Sequence, residues 1–337
     1  MKPAFFVLWL ACAWLLPERA GAQLFRLPTA NHALLEPNGG EKFFVGTVGK
    51  PWTSGMFGCV RSEGWHMHEG LDIKCLQRDK KGEPIDPVMA TADGTVAYFS
   101  NQPALSNYGR YVVLRHHIEG IEIYSLYAHL REIRADLKIG QSVSGGERIA
   151  TMGRSTNTRQ GISKDRAHVH FELDLLLNER FASWYKTAFA DQRNDHGNWN
   201  GQNLAGLDAR EILLQQAAAG GKFSLRQCIQ NQPELCRVLV PGRRLGWLQR
   251  YPTLARRNPL TEREGIAAYE IALNFNGVPF QVTPRAGSET KGRNGPRLLS
   301  VNEGEYEQHH CRRLVARRAG HWELTPTGSR LLELLTY

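Results

Sequence analysis

Three stretches of alternating and β-branched residues limit the fold of this chain most strongly. A hairpin is predicted by PVMATADGTVAYFS, in which an Asp-Gly turn separates two short apolar runs. A second is predicted by GRYVVLRHHIEGIEIYSLYAHL, with a Glu-Gly turn, and a further strand by HVHFELDLLL. We therefore expect a mainly β fold whose core, from about residue 55 to 175, is an antiparallel β-sheet with flanking loops and a helix.

Helical signals appear only later in the chain. AGLDAREILLQQAAA places apolar residues at helical spacing behind Asp208, which is a suitable N-cap. Beyond residue 220, YEIALNFNGVPFQVTP predicts a hairpin and TPTGSRLLELL a final helix. The sequence thus predicts an N-terminal arm at 23–54, a β-rich domain at 55–219, and a smaller mixed α+β accessory region at 220–337 whose role it does not reveal.

The first 22 residues have the pattern of a secretory signal peptide. Lys2 precedes an apolar run that is too short to span a bilayer comfortably, and Ala20-Gly21-Ala22 offers a small-residue cleavage site. A retained membrane anchor is the alternative, but no later segment approaches a transmembrane span. We therefore expect export to the periplasm or the extracellular space, without stable membrane insertion.

The net charge of +9 indicates a polyanionic partner. Nucleic acid is the usual candidate for a basic protein, but export argues against it and favours an envelope polymer. A solvated basic face is the alternative explanation for any single cluster. The oligomeric state is not determined by the sequence.

Five cysteines remain after the predicted signal peptide, and we interpret them as disulfide candidates because export implies an oxidising setting. Cys59 and Cys75 bracket a histidine-rich segment, and Cys228 and Cys236 form the natural local pair, which leaves Cys311 over. Sequence alone does not fix the connectivity. Zinc binding by these cysteines is disfavoured because the chain has no CxxC pair.

Several histidines occur with spacings that suit a metal site. His68 and Asp72 are four residues apart, and His168 and His170 are separated by one residue, so that on a strand both point to the same face. His129 ends a predicted strand. Each pattern alone is weak, since HxxxD and HxH both occur by chance, and a histidine at a strand end is more often structural.

The order of these motifs carries more information than any one of them. HEGLD, GTV, YAHL, GQSVSGGERIATMGRST and HVHFEL follow one another in a way that resembles the LytM/lysostaphin-type zinc peptidases of the cell wall. The resemblance covers about residues 55 to 175. It implies one zinc ion bound by His68, Asp72 and His170, and catalysis by the non-ligand histidines His129 and His168.

The resemblance also implies the reaction, which is hydrolysis of peptide cross-links in peptidoglycan by a zinc metalloendopeptidase domain at 55–219. Two alternatives stay open: a non-catalytic or latent activator of wall hydrolases, and a zinc endopeptidase acting on proteins. The chain departs from the family pattern at Asn157, where a glycine is common, and in TRQGISKDRA, which lengthens a loop. We expect this loop to form one wall of the substrate groove.

Three further residues are site candidates. Glu172 is expected on the same strand face as His170, where it is either a hydrogen-bond partner of that ligand or a buried structural carboxylate. His66 competes with His68 as a ligand, because HxH followed by Asp also occurs in other metallohydrolases, but the β-rich setting favours His68. We therefore expect His66, together with Trp65, at the rim of the site.

Overall fold

The computed structural model describes residues 23–290 and 295–337. The predicted signal peptide and Cys12 lie outside the described residues. Among the described residues, no helix combines the length and the apolar character needed to cross a membrane.

The β-rich domain is built from short antiparallel strands. Their bounds are β1 Gly58–Arg61, β2 His66–His68, β3 Leu71–Lys74, β4 Pro87–Met89, β5 Gly94–Ser100, β6 Tyr111–Ile118, β7 Ile121–Ala128, β8 Glu132–Ile133, β9 Ser142–Val143, β10 Arg148–Thr151, β11 His168–Leu176 and β12 Leu204–Leu207. The main sheet has the order β12-β11-β7-β6-β5-β9, and β3 also pairs with β11. All its pairings are antiparallel. The predicted antiparallel β core is confirmed.

Strand β11 organises this sheet because it has neighbours on both edges. On one edge its first residues pair with β3 and its last residues with β12, while β7 occupies the other edge. All nine of its residues are buried. In its sequence, each polar residue is followed by an apolar one, as suits a strand that is covered on both faces. A strand fixed on both edges is a rigid support for side chains that must be held in place.

Short helices flank the sheets. Their bounds are α1 Gly40–Phe43, α2 Phe181–Ala188, α3 Ala209–Ala219, α4 Leu225–Gln230, α5 Gly246–Arg250, α6 Pro259–Glu264, α7 Gly287–Thr290, α8 Glu303–Gln308 and α9 Pro326–Thr336. Helix α3 begins as predicted, with the Asp208 carboxylate accepting a hydrogen bond from the Glu211 backbone N–H. The predicted final helix is α9.

The C-terminal region has its own sheet, in the order β15-β14-β13-β16, and a separate two-stranded sheet, β17-β18. These strands are β13 Cys236–Pro241, β14 Ala268–Leu273, β15 Pro279–Arg285, β16 Arg297–Val301, β17 Val315–Arg318 and β18 His321–Leu324. The predicted hairpin is β14-β15, and the mixed α+β character is confirmed. Buried residues of this region and of the β-rich domain form one continuous apolar cluster, so the C-terminal region packs against the domain.

The N-terminal segment at 23–54, which the sequence predicts to be an arm, packs against the body through buried aromatic residues. Phe25, Phe43 and Phe44 are fully or almost fully buried. Phe44 forms a β-bridge with Ile73, and the Val45 N–H donates to the Asp72 carbonyl over 3.0 Å. The aromatic residues, spread among glycines and prolines, have no periodicity that would reveal this burial in the sequence. The segment therefore supports β3 along the edge that β11 does not cover.

The predicted disulfide pairs are wrong. Cys59 is bonded to Cys311, across 252 residues, while Cys75, Cys228 and Cys236 are free thiols. The Cys75 thiol instead donates to the Asp86 carboxylate over 3.1 Å. Proximity along the chain misled the prediction because β1 is brought against the C-terminal region only in the folded protein. The disulfide thus ties the C-terminal region to the strand that precedes the histidine-rich segment.

We expect the Cys59→Ser/Cys311→Ser double variant to lose about 2–5 kcal/mol of unfolding free energy, because the bridge closes a very long loop in the unfolded chain. Chemical denaturation of oxidised and reduced protein measures this loss. Reducing agent should lower the stability of the wild type towards that of the variant and leave the variant unchanged. A non-reducing peptide map that pairs Cys59 with a cysteine other than Cys311 would contradict the assignment.

Candidate metal centre

The side chains of His68, Asp72 and His170 converge on one point. The distances are 3.1 Å between His68 Nε2 and Asp72 Oδ1, 2.9 Å between Asp72 Oδ1 and His170 Nδ1, and 3.1 Å between the two imidazole nitrogens. All three residues are buried, and no other group of three or more His, Cys, Asp or Glu residues with metal-binding geometry occurs in the described ranges. The three predicted ligands are therefore brought together by the fold.

Strand register creates this convergence. His170 of β11 lies directly opposite Asp72 of β3 in the antiparallel pair, and such opposed side chains are close neighbours on one face of a sheet. His68 ends β2, and the chain then bends at Gly70 before β3 begins. A side chain at Gly70 would place its Cβ 2.5 Å from the Phe171 carbonyl oxygen and 2.9 Å from His170 Nε2. The bend therefore requires glycine.

Hydrogen bonds on the far side of each ligand fix which atom faces the metal position. His68 Nδ1–H donates to the Met56 carbonyl over 2.7 Å, which leaves Nε2 as the free lone pair. His170 Nε2–H donates to the Glu172 carboxylate over 2.6 Å, which leaves Nδ1 free. Such partners orient imidazole ligands and raise their basicity. Glu172, one of the further candidates, thus contacts a metal-ligand candidate directly.

Arg61 orients Asp72, the third ligand candidate. The sequence did not reveal this role of Arg61. Its guanidinium donates to Asp72 Oδ2 over 2.7 Å, so that Oδ1 faces the two imidazoles. The arginine reaches this position because β1 pairs with β2. The only signal in the sequence was its place just upstream of the histidine-rich segment, which gives no reason to single out this arginine.

The charges of the cluster suit a bound cation. Burial would raise the pKa of Asp72, yet His68, His168 and hydrogen bonds from His170 and His68 hold it well below its usual range. Burial lowers the pKa of His68, which favours the neutral form that binds metals. Burial opposes the protonation of His170, but hydrogen bonds to Asp72 and Glu172 raise its pKa to about 9. The metal-free cluster therefore attracts positive charge, and its N,O,N donor set is one that zinc accepts.

His129 and His168 stand beside the three ligand candidates. Their ring centroids are 4.8 Å apart, and the His129 ring lies 5.9 Å from that of His170. His129 Nδ1–H donates to the Ser155 carbonyl over 2.9 Å, and His168 Nδ1–H donates to the Arg166 carbonyl over 2.6 Å. Each ring therefore keeps Nε2 as an unprotonated acceptor.

Both of these histidines are held neutral. Burial, reinforced by the neighbouring imidazoles, keeps the pKa of His129 well below its usual value, and burial lowers the pKa of His168. His129 also has a positive φ of 59°, a left-handed conformation that is uncommon for a residue with a Cβ and is concentrated at functional sites. A neutral imidazole with a free Nε2 can accept a proton at neutral pH.

A chain of buried acids extends behind His170. The Tyr108 hydroxyl donates to Glu172 Oε1 over 2.8 Å. Both carboxyl oxygens of Asp174 lack a donor among the described residues, and burial, with the neighbouring Glu172 charge, raises the pKa of Asp174 well above its usual range. As a neutral acid, Asp174 can donate to Glu172, which leaves the negative charge on the residue that contacts His170. Tyr108 directly precedes the predicted hairpin that begins at Gly109, and nothing in the sequence distinguished it.

Trp65 and His66 are not among the residues that line the cleft, and their place at its rim stays a prediction. The rings of Trp65 and His310 are tilted against each other with centroids 4.3 Å apart, and the Arg313 guanidinium lies 5.7 Å from the centroid of the Trp65 ring. His66 is exposed on β2. The closeness of Trp65 and His66 to His68 in the sequence therefore does not determine where their side chains lie in the fold. Trp65 instead contacts the C-terminal region, close to the Cys59–Cys311 bond.

The cluster opens into a cleft of about 820 Å³. One wall contains the lengthened loop that the sequence predicted, including Thr158, Gln160 and Arg166. Other walls come from segments that were not predicted, namely Thr47 and Val48 of the N-terminal segment, the loop at 193–202 and Arg312 of the C-terminal region.

The Asp174→Asn variant should stabilise the metal-free protein at neutral pH. Burial and the Glu172 charge raise the pKa of Asp174 in the folded protein, whereas the unfolded chain releases that proton above its ordinary pKa, so this group costs stability as pH rises between the two values. The cost grows by at most about 1.4 kcal/mol per pH unit. Asparagine does not ionise and therefore avoids this cost.

Denaturation of both proteins at pH 4 and pH 8 measures the difference. The stabilities should nearly coincide at the lower pH and separate in favour of the variant at the higher pH. A variant that is less stable than the wild type at pH 8 would show that Asp174 is ionised in the folded protein.

Comparison with known proteins agrees with this geometry. Residues 66–180 match the model of peptidase family M23. No curated protein matches the chain.

Three solved structures illustrate the likeness. A zinc-containing peptidase from Vibrio cholerae is 28% identical over 32% of this chain and 26% of its own, with a TM-score of 0.24. A putative glycyl-glycine endopeptidase LytM from Ruminococcus gnavus is 28% identical over 32% of this chain and 39% of its own, with a TM-score of 0.25. The catalytic domain of lysostaphin from Staphylococcus simulans is 19% identical over 39% of this chain and 74% of its own, with a TM-score of 0.24.

The chain thus spans well under half the length of the first two. The family match covers β2 to β11, which carry all three ligand candidates and both neighbouring histidines. Residues 66–180 thus form a domain that matches peptidase family M23.

Proposed function

We propose that this protein is an exported zinc endopeptidase that hydrolyses peptide cross-links of peptidoglycan. The observation that carries the proposal is the convergence of His68, Asp72 and His170, with all three donor atoms within 4.8 Å of one another. Two further histidines, His129 and His168, border the same cluster, and burial lowers the pKa of both. A merely structural cluster would not require two further imidazoles with free nitrogens in a cleft.

The chemistry that zinc supplies in such a site is polarisation of the peptide carbonyl and a lowered pKa of water. The protein then has three tasks. Its cleft walls hold the peptide, and one of His129 and His168 accepts the proton of the attacking water through Nε2. The other histidine donates a hydrogen bond to the developing oxyanion or a proton to the leaving amine.

Several features support an envelope substrate. The net charge of +9 suits a polyanionic polymer. The Cys59–Cys311 disulfide is typical of proteins that fold outside the cytosol. Export by residues 1–22 is part of the proposal and rests on their sequence pattern. The complete donor set disfavours a purely non-catalytic activator, which would not need to keep it.

Two substitutions separate metal binding from catalysis. His170→Ala should abolish zinc retention and activity, because it removes a ligand. His168→Ala should retain most of the zinc and lose about 100-fold or more in activity, which is the usual contribution of a general acid or base. Zinc is measured by elemental analysis of purified protein and activity by release of soluble fragments from sacculi.

The exposed His66 provides a matched control, and His66→Ala should behave like the wild type in both assays. Zinc-free wild-type protein, or a His170→Ala variant with unchanged zinc and activity, would contradict the proposal.

Defined cross-linked peptidoglycan fragments test the substrate. Incubation with and without a chelator, followed by mass spectrometry, should show chelator-sensitive cleavage of one peptide bond. A Gly-rich protein treated in parallel tests the alternative of a protein substrate. Cleavage of that protein with intact peptidoglycan fragments would overturn the assignment of substrate.

A further inference from the structure

Four arginines line the cleft, and three of them are neutralised by an acid in the same cleft. Arg61 pairs with Asp72 at 2.7 Å, Arg193 with Asp195 at 2.5 Å and Arg312 with Glu69 at 3.3 Å. These are the acidic residues that line the cleft. The fourth, Arg166, has no carboxylate within 4.0 Å among the described residues. The cleft therefore has an excess positive charge at one position.

The side chain of Arg166 is held in place by one hydrogen bond and keeps further N–H donors available. Its Nε–H donates to the Gly46 carbonyl over 2.8 Å, which holds the guanidinium against the N-terminal segment that also lines the cleft. Neither Nη atom donates to a described residue, and neither is buried without a partner. Both Nη groups are therefore free to donate to a ligand in the cleft.

Arg166 also lies close to the reacting groups. Its carbonyl accepts the hydrogen bond that orients His168. Burial lowers the pKa of the guanidinium. The Asp72 charge raises this pKa and the Arg61 charge lowers it. An anion beside this half-buried cation would restore the solvation that burial removed.

We propose that Arg166 binds a carboxylate of the substrate peptide, on a residue next to the bond that is cut. The inference rests on the proposed function, since it assigns the substrate of that same cleft. A guanidinium with two free Nη groups matches the two oxygens of a carboxylate in a bidentate arrangement. The lengthened loop therefore determines specificity by placing a cation where the substrate is acidic.

Amidation of the substrate tests the proposal. Cross-linked peptidoglycan fragments are used as isolated and after carbodiimide coupling with ammonia, which converts their free carboxylates to carboxamides. The wild type should show about 10- to 100-fold higher kcat/KM for the carboxylate form, the factor that corresponds to a charge-assisted hydrogen bond. Arg166→Gln should remove this preference by lowering only the value for the carboxylate form.

Two further variants make the test specific. Arg166→Lys keeps the charge but lacks the planar guanidinium that can bind both carboxylate oxygens, and it should retain part of the preference. Arg159→Gln removes the same charge from an exposed position of the same loop that does not line the cleft, and it should keep the full preference. Zinc content and thermal unfolding of each variant should match the wild type, which shows that the metal centre and the fold are intact.

Binding distinguishes failure of this inference from failure of the proposed function. Kd for both forms of the fragments is measured in the His168→Ala background, with and without Arg166→Gln. If the fragments bind more tightly in the carboxylate form, this depends on Arg166 and the wild type does not hydrolyse them, the binding site is supported and the proposed activity is rejected. Hydrolysis with no preference, or with a preference that survives Arg166→Gln, would overturn the role of Arg166.

Discussion

The antiparallel register between β3 and β11 is the constraint on which the site depends. It sets His170 opposite Asp72, and a shift of one residue would turn every side chain of β11 to the opposite face of the sheet. β11 is held in register by β3, β12 and β7 together. The N-terminal segment supports β3 from its free edge. The ligands thus lie on strands whose positions are fixed by main-chain pairing.

A second layer of hydrogen bonds selects the chemical state of each side chain. Backbone carbonyls accept Nδ1–H from His68, His129 and His168, and Glu172 accepts Nε2–H from His170. The remaining nitrogens are therefore available to a metal or a proton. Burial keeps His129 and His168 neutral, whereas the two carboxylates around His170 favour positive charge there. The same environment thus leaves His68 and His170 suited to bind a metal, and His129 and His168 suited to accept a proton.

The C-terminal region forms part of the cleft, and the disulfide explains how it stays there. The Cys59–Cys311 bond and the Trp65–His310 contact join it to the strands that lead into the metal centre. Arg312, next to the bonded cysteine, reaches the cleft and pairs with Glu69. The accessory region thus contributes to the shape and the charge of the cleft.

The sequence by itself determined the antiparallel core, the helix behind Asp208, the final helix and the candidate ligands. These features depend on local signals: alternation, turn residues, caps and an ordered set of motifs. Sequence reasoning failed for the disulfide partners, and it did not find the burial of the N-terminal segment or the roles of Arg61, Tyr108 and Arg166. Each of these depends on which distant segments meet. Only the tertiary structure decides that, because long-range packing and strand register leave no periodic trace in the segments they join.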